Sequence, residues 1–265
     1  MSDTPLTALA LGLVEGVTEF LPVSSTGHLI VIGDLLGFAG NFSKLFDVVI
    51  QLGAILAVCW LYRAKLWRTA VTLGGDRASQ RFTLNVLLAF LPAVVIGFAA
   101  HDFIKRVLFS PLVVAWAFIA GGVAILLVER YRPAATAASI ESMPAPTALK
   151  IGLFQCLAMI PGTSRSGATI VGALLLGVTR EAATEFSFFL AIPTMAGATA
   201  LDLWKARHEA FGAEWTMIAI GFVVAFLSAL LVVRGLVGFV SRHGFAPFAW
   251  YRIVAGVCIL ALLAR

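Results

Sequence analysis

Long apolar stretches alternate with short polar ones along most of this chain. A helix that crosses a bilayer needs about 20 predominantly apolar residues. Six stretches are long and apolar enough to predict transmembrane helices, at 46–62, 84–100, 112–128, 186–203, 216–233 and 247–264. The pattern therefore predicts an all-α, polytopic membrane protein.

Two further apolar regions, 5–38 and 149–178, are interrupted by helix-breaking residues. Pro22 lies in the middle of the first region, and Pro161-Gly162 lies in the middle of the second. Each remaining half is too short to cross a hydrocarbon core of about 30 Å, but it is long enough to reach the midplane. We therefore expect two re-entrant helical hairpins, whose non-helical turns are buried in protein or line a cavity.

Composition excludes a water-soluble fold. The chain is 60% hydrophobic and 12% charged, with a mean hydropathy of +0.98. Soluble domains are nearer 45–50% apolar and about 25% charged. The net charge of +5 does not indicate nucleic-acid binding, because the basic residues form no run with interleaved aromatics. Loop Lys and Arg that face the cytoplasm account for it more simply.

The basic residues also predict an orientation. The loop after the first predicted span carries Arg63, Lys65, Arg68, Arg77 and Arg81. The positive-inside rule places that loop in the cytoplasm. Alternation of six spans and two hairpins then puts most other Lys and Arg residues, Arg252 among them, inside or at the inner boundary. Both termini, and the entry of the first hairpin, are expected on the outer face.

The two interrupted regions resemble each other, which predicts an internal repeat. Gly27, Gly37 and Phe46 match Gly167, Gly177 and Phe186, and the shift in numbering is the same for all three pairs. We call this shift the repeat offset. Each half, 1–130 and 149–265, is then a re-entrant hairpin followed by three spans, with a linker rich in Ala, Pro and Ser at 132–147. Because three is odd, the second half is inverted relative to the first, as in many transporters.

The first interruption concentrates polar chemistry in the segment Glu15-Gly-Val-Thr-Glu19-Phe-Leu-Pro-Val-Ser24-Ser25-Thr26-Gly27-His28. Glu15 and Glu19 are spaced i and i+4, so both lie on one helix face. A charge at the bilayer midplane costs about 2.5–3.5 kcal/mol on insertion scales. A divalent cation such as Mg²⁺ or Ca²⁺, a basic partner or a shared proton is therefore expected to offset their repulsion.

After Pro22, the run Ser24-Ser25-Thr26 begins a second short helix. Hydroxyls and free backbone N–H groups at a helix N-terminus form an anion site. His28 lies on the first turn of the same helix, so we expect it close to the bound anion, with a catalytic role.

The second interruption has the sequence Pro161-Gly-Thr-Ser-Arg-Ser-Gly-Ala-Thr169. Its hydroxyls, on Ser164, Ser166 and Thr169, again stand at a helix N-terminus, and Arg165 can bind phosphate oxygens bidentately. An ion pair of Arg165 with one of the two glutamates is the structural alternative, and both can hold. If the hairpin tips meet near the midplane, they form one phosphate or diphosphate site.

The two interruptions together supply the predicted site. The predicted catalytic residues are Glu15, Glu19, Ser25, His28 and Arg165. The predicted substrate-binding residues are Ser24, Thr26, Ser164, Ser166 and Thr169. The predicted metal ligands are Glu15 and Glu19.

At these motifs the chain resembles the bacterial undecaprenyl-diphosphatases, also known as bacitracin-resistance proteins. The resemblance is carried by EGVTEFLPVSSTGH at 15–28 and PGTSRSGAT at 161–169, with support from FDVVIQLGAILAV at 46–58 and EFSFFLAIPTMAGATALDL at 185–203. It implies removal of one phosphate from undecaprenyl diphosphate, which regenerates the lipid carrier for cell-wall synthesis. It further implies a metal-dependent homodimer in the bacterial inner membrane.

The resemblance also implies roles for the motif residues. Glu15 and Glu19 would serve metal binding or acid–base work, and Ser25 or His28 would be the nucleophile or base. Arg165, with Ser164 and Ser166, would hold the diphosphate. The residues themselves leave metal-activated water open as the attacking group. They also leave open a transporter or flippase of polyprenyl phosphate and, more weakly, a phosphatase of the Ser-Gly-His type.

Overall fold

The computed structural model describes residues 4–38, 40–107, 110–206 and 215–264. Within these residues the fold is built from α-helices and one short 3-10 helix, Cys156–Met159. In chain order, the helices are α1 Pro5–Thr18, α2 Ser25–Leu35, α3 Asn41–Leu61, α4 Arg63–Thr72, α5 Arg77–Val107, α6 Pro111–Tyr131, α7 Ala145–Gln155, α8 Arg165–Leu175, α9 Arg180–Ala206, α10 Trp215–His243 and α11 Ala246–Leu263.

Six described helices, α3, α5, α6, α9, α10 and α11, are long and apolar enough to cross a membrane. The predicted all-α membrane fold with six spans is therefore confirmed. The observed helices extend beyond the predicted spans, most clearly where α10 continues through Arg234 to His243. Long basic side chains can reach the polar interface from such positions, so the helix continues beyond the end of its apolar segment.

The predicted interruptions also occur where the proline residues indicated. Helix α1 ends at Thr18 and α2 begins at Ser25, while α7 ends at Gln155 and α8 begins at Arg165. Thr4 caps α1, since its hydroxyl accepts a hydrogen bond from the backbone N–H of Thr7 at 3.3 Å. With 14 residues, α1 is about 21 Å long, which is too short to cross the hydrocarbon core.

Two segments differ from the sequence expectation. The basic loop after the first span contains helix α4, whose residues are not buried. The expected linker is an ordered strap, because Ile140 and Met143 are buried and their carbonyls both accept hydrogen bonds from the Asn85 amide at 3.0 Å.

Each hairpin packs against the opposite half of the chain. Helix α1 lies on α10, and α7 lies on α5. Glycines permit the close approach, because a Cβ at Gly12 would collide with the backbone of Gly221, and one at Gly152 would collide with the backbone of Ala89. Small residues play this part widely in membrane helix packing. The two halves are thus interlocked rather than separable.

The bounds of the short helices agree with the predicted repeat. Helix α8, Arg165–Leu175, begins and ends at the repeat offset from α2, Ser25–Leu35. The capping residues of the two helices, Ser24 and Ser164, both have φ 72°. These correspondences support the duplication, whose inverted orientation in the membrane stays a prediction.

Candidate active site

The turns of the two hairpins are joined by a completely buried arginine, Arg252 of α11. Its guanidinium donates to the carbonyl of Pro22 in the first turn at 3.1 Å, and to those of Gly162 and Thr163 in the second turn at 2.9 and 2.8 Å. The guanidinium also donates to the carbonyls of two α6 residues, Ala117 and Phe118. Carbonyl dipoles rather than water therefore solvate this charge, and the expected place of Arg252 relative to the membrane stays a prediction.

Glu19 connects the polar groups of both turns. One oxygen accepts a hydrogen bond from Arg165 Nη2 at 2.7 Å, and the other accepts one from the hydroxyl of Ser25. Arg165 also donates from Nη1 to the carbonyl of Ser187 at 2.8 Å, whereas its buried Nε has no partner among the described residues. The expected contact of the hairpins through a Glu–Arg pair is thus present, and Glu19 is the acidic member.

Ser24 and Ser164 adopt a backbone conformation that is rare for residues other than glycine. A φ of 72° at both positions stores roughly 1–3 kcal/mol of strain. Each hydroxyl caps its helix by accepting from the backbone N–H of a glycine in the first turn, at 3.4 Å from Gly27 and 3.0 Å from Gly167. Such strain is typical of functional turns, and here it sets the N-termini of α2 and α8.

A cavity of about 560 Å³ lies against these groups. Its polar lining comes from both hairpins and from α3 and α9, and comprises Glu19, Ser24, Ser25, Thr26, Gln51, Gln155, Ser164, Arg165 and Thr194. The remainder is largely apolar and comes from α5, the 3-10 helix and α9, including Phe90, Ala93, Val94, Ala158, Met159, Ala198 and Leu201. The cavity therefore suits an amphipathic ligand with a polar head and an apolar tail.

Six of the predicted site residues line this cavity: Glu19, Ser24, Ser25, Thr26, Ser164 and Arg165. Ser166 and Thr169 are buried in contacts within the protein instead. The hydroxyl of Ser166 donates to the carbonyl of Leu21 at 2.7 Å, and that of Thr169 donates to Ser187 Oγ at 2.8 Å. In the described structure, these two residues position the hairpin, while their predicted contact with substrate stays a prediction.

Glu15 is 1% exposed, and neither carboxylate oxygen accepts a hydrogen bond from a described residue. The acidic groups of Glu19 and Asp47 and the positive charge of Arg165 all lie within electrostatic range of it. No group of three His, Cys, Asp or Glu side chains forms a ready metal cage in the described part of the chain. Mg²⁺ commonly binds through one or two carboxylates with substrate phosphates and water completing its shell. Glu19 lines the cavity and Glu15 does not, so the role of this pair as metal ligands stays a prediction.

His28 lies apart from this cluster and is not among the described residues that line the cavity. Its Nδ1 is 2.7 Å from the carbonyl of Ser24, and its Nε2 is 2.6 Å from the hydroxyl of Tyr251, on which the ring stacks at 5.6 Å. The histidine therefore connects the turn at Ser24 to α11 and stabilises the position of that turn. Its predicted position close to a bound anion and its catalytic role stay predictions.

Sequence reasoning missed several residues of the site. Gln51, Gln155 and Thr194 line the cavity, and Arg252 holds its turns together. A signal for Gln155 existed, since it stands at the repeat offset from Glu15. Arg252 also had a signal, because an arginine inside the predicted span 247–264 is costly in a membrane, but the sequence does not identify its backbone partners.

Comparison with known proteins places this site in context. A family model described as bacitracin resistance protein BacA matches residues 8–258. The chain is 58% identical to an undecaprenyl-diphosphatase of Rhizorhabdus wittichii, with 100% of both chains covered. It is 56% identical to undecaprenyl-diphosphatase 2 of Paramagnetospirillum magneticum, with coverage of 97% and 98%, and 55% identical to an undecaprenyl-diphosphatase of Nitrosospira multiformis, with coverage of 96% and 93%.

Proposed function

Because this chain belongs to the bacitracin resistance protein BacA family, we propose that it hydrolyses undecaprenyl diphosphate to undecaprenyl phosphate and inorganic phosphate. Such a reaction recycles the lipid carrier of cell-wall synthesis and gives bacitracin resistance. The observation that carries the proposal is the placement of Glu19 between Ser25 and Arg165 at the polar end of a mainly apolar cavity.

The shape of the cavity supports a lipid diphosphate as the substrate. Hydroxyls and the guanidinium of Arg165 line its polar end, where they can bind phosphate oxygens. The apolar wall formed by Phe90, Val94 and Leu201 can accept the first part of a polyprenyl chain. Transport of polyprenyl phosphate, the alternative from sequence, receives no support from the family and the relatives named above.

The contacts of Ser25 support it as the nucleophile. Its hydroxyl donates to Glu19, so Glu19 is placed to take the proton as Ser25 Oγ attacks the terminal phosphorus. The bond from that phosphorus to the bridging oxygen breaks, and undecaprenyl phosphate leaves with the bond's electron pair and with the proton held by Glu19, which returns Glu19 to the carboxylate. Water then attacks the phosphoserine, its proton returns the serine to the hydroxyl form, and inorganic phosphate is released. Arg165, with an unpartnered Nε, can stabilise the charge that develops on the phosphoryl oxygens.

The conditions for this chemistry are also part of the proposal. A divalent cation, Mg²⁺ or Ca²⁺, held by Glu15 and Glu19 would supply further positive charge against the diphosphate. We place the protein in the bacterial inner membrane, with the cavity open to the outer face. Most lining residues of α5 and α9 lie in the C-terminal halves of those helices, which point outward if the basic segment containing α4 is cytoplasmic. The homodimer implied by the resemblance stays a prediction.

The decisive experiment measures phosphate release from undecaprenyl diphosphate by purified protein with a divalent cation. We expect Ser25→Ala to reduce kcat by about 10³-fold or more and Glu19→Gln by about 10²–10⁴-fold. Glu141→Gln is the matched control, since it breaks a partly exposed pair with Lys65 that contributes about 0–1 kcal/mol. Wild-type rates for both Ser25→Ala and Glu19→Gln would refute the assignment of the site.

A second measurement separates serine attack from direct attack by water. Substrate labelled in its terminal phosphate, quenched in acid during turnover, should leave label on the wild-type protein and none on Ser25→Ala. An active wild-type protein that carries no label under these conditions would exclude the serine intermediate.

A further inference from the structure

Gln155 has an unused hydrogen-bond donor beside the candidate active site. It is the last residue of α7, is 2% exposed and lines the same cavity as Glu19 and Arg165. Its Oε1 is 3.3 Å from the hydroxyl of Thr194, whose proton is shared with the carbonyl of Leu190. Its Nε2 has no partner among the described residues. A buried amide that is left unpaired is costly, so a ligand in the cavity is the natural acceptor.

The position of Gln155 in the two halves of the chain indicates the charge of that ligand. Its counterpart at the repeat offset is Glu15, whose carboxylate is buried and equally unpartnered among the described residues. Glu15 is suited to a cation, whereas the amide of Gln155 offers N–H donors without a negative charge. On the side of the cavity where Gln155 lies, a phosphate oxygen can therefore be bound without repulsion.

The neighbours of Gln155 indicate which phosphate it contacts. Ala158 and Met159, a single helical turn further along the chain, belong to the apolar wall, as do Ala198 and Leu201 beyond its partner Thr194. Ser25, which attacks the terminal phosphate in the function proposed above, belongs to the polar end. Gln155 is thus located where the polar end of the cavity meets the apolar wall. In a bound lipid diphosphate, the phosphate at this junction is the one that carries the lipid.

We propose that Gln155 binds substrate by donating a hydrogen bond from Nε2 to the lipid-linked phosphate. The inference rests on the proposed function, and it assigns Gln155 a role in retaining the diphosphate and its lipid product. The contact is made in the bound substrate and strengthens as the lipid-linked phosphate gains charge on leaving, so its loss raises KM and lowers kcat by a smaller factor.

The test compares Gln155→Met, which keeps the length of the side chain and removes the donor, with Gln155→Glu, which replaces the amide with a carboxylate of similar shape. For Gln155→Met we expect KM for undecaprenyl diphosphate to rise roughly tenfold or more, because the lost donor served a charged acceptor, while kcat stays within about threefold. Gln155→Glu should raise KM further through charge repulsion. The matched control is Gln80→Met, since the Gln80 amide is exposed and bonds the carbonyl of Leu73 far from the cavity lining.

Product inhibition identifies the phosphate that is contacted. Gln155→Met should weaken inhibition by undecaprenyl phosphate about as much as it raises KM, and it should leave inhibition by inorganic phosphate unchanged. The opposite result, with weaker inhibition by inorganic phosphate and unchanged inhibition by the lipid product, would overturn the assignment.

Other outcomes separate this inference from the proposed function. An active wild-type protein together with unchanged KM in Gln155→Met refutes the role of Gln155 and leaves the proposed function intact. A wild-type protein that releases no phosphate refutes the proposed function itself. If Gln155→Met lowers the melting temperature, the isosteric Gln155→Glu decides, because a wild-type KM in that variant contradicts phosphate binding at this position.

Discussion

Replacing Arg252 should damage both the stability and the activity of this protein, although Arg252 does not line the cavity. Its guanidinium holds both hairpin turns through the carbonyls of Pro22, Gly162 and Thr163. Arg252→Met keeps a long apolar stem and removes every donor. Arg252→Lys keeps the charge, but it has fewer donors and lacks the planar geometry.

The size of the effect follows from the carbonyls that lose their donor. Two further carbonyls, of Ala117 and Phe118, also depend on Arg252. A buried acceptor without a partner costs about 1–3 kcal/mol, while removal of the buried charge returns part of that cost. We therefore expect Arg252→Met to lower the free energy of unfolding by about 3–5 kcal/mol. A displacement of about 1 Å between the turns costs about 10²-fold in rate, so kcat should fall by that order in protein that remains folded.

The assay combines thermal unfolding in detergent with phosphate release below the melting temperature. Arg242→Met is the matched control, because Arg242 is exposed in the last turn of α10, and it should leave both quantities near wild type. Arg252→Lys should fall between Arg252→Met and the wild type. A wild-type melting temperature together with wild-type kcat in Arg252→Met would show that the carbonyl contacts do not hold the site.

Three further predictions test separate parts of the site. A chelator should stop phosphate release by the wild-type protein, and added Mg²⁺ or Ca²⁺ should restore it. Glu15→Gln should need a higher cation concentration for half-maximal recovery. Full wild-type activity in the presence of chelator would exclude a metal requirement. Thr26 is exposed and lines the cavity. In a protein without native cysteines, Thr26→Cys should react with an impermeant thiol reagent in intact cells. Reaction in inside-out vesicles but not in intact cells would reverse the predicted orientation. Tyr251→Phe removes one hydrogen bond to His28, which contributes about 0.5–1.5 kcal/mol. It should reduce kcat by less than about tenfold. A loss as large as that of Ser25→Ala would instead show that the His28–Tyr251 pair takes part in catalysis.

The parts of the fold that depend on local pattern were predictable from sequence. Apolar length indicated the six spans, and Pro22 and Pro161-Gly162 indicated the interruptions, because each precedes a run of hydroxyl residues that favours a new helix N-terminus. A proline alone would not have been sufficient, since Pro92 and Pro193 lie inside α5 and α9. The contact between Arg165 and a glutamate of the first motif was anticipated, since an isolated charge is costly in a membrane. Each of these features depends on a residue type and its neighbours in the chain.

The features that sequence did not reveal depend on tertiary geometry. Arg252 bonds carbonyls, which every residue possesses, so nothing in the sequence marks its partners. The ring of His28 turns to Tyr251 of α11, a contact that proximity to Ser25 in the chain does not suggest. The left-handed backbone of Ser24 and Ser164 is equally hidden, because serine rarely adopts it.

The interlocking of the two halves also bears on how the protein is made. Helix α1 packs on α10, and Gly12 and Gly16 of α1 fit closely against α10. The ribosome has synthesised most of the chain before α10 begins at Trp215. The first helix to emerge, which carries the buried Glu15, must therefore wait for a late-made neighbour. A chain that terminates before Trp215 therefore lacks the neighbour on which this acidic helix packs most extensively.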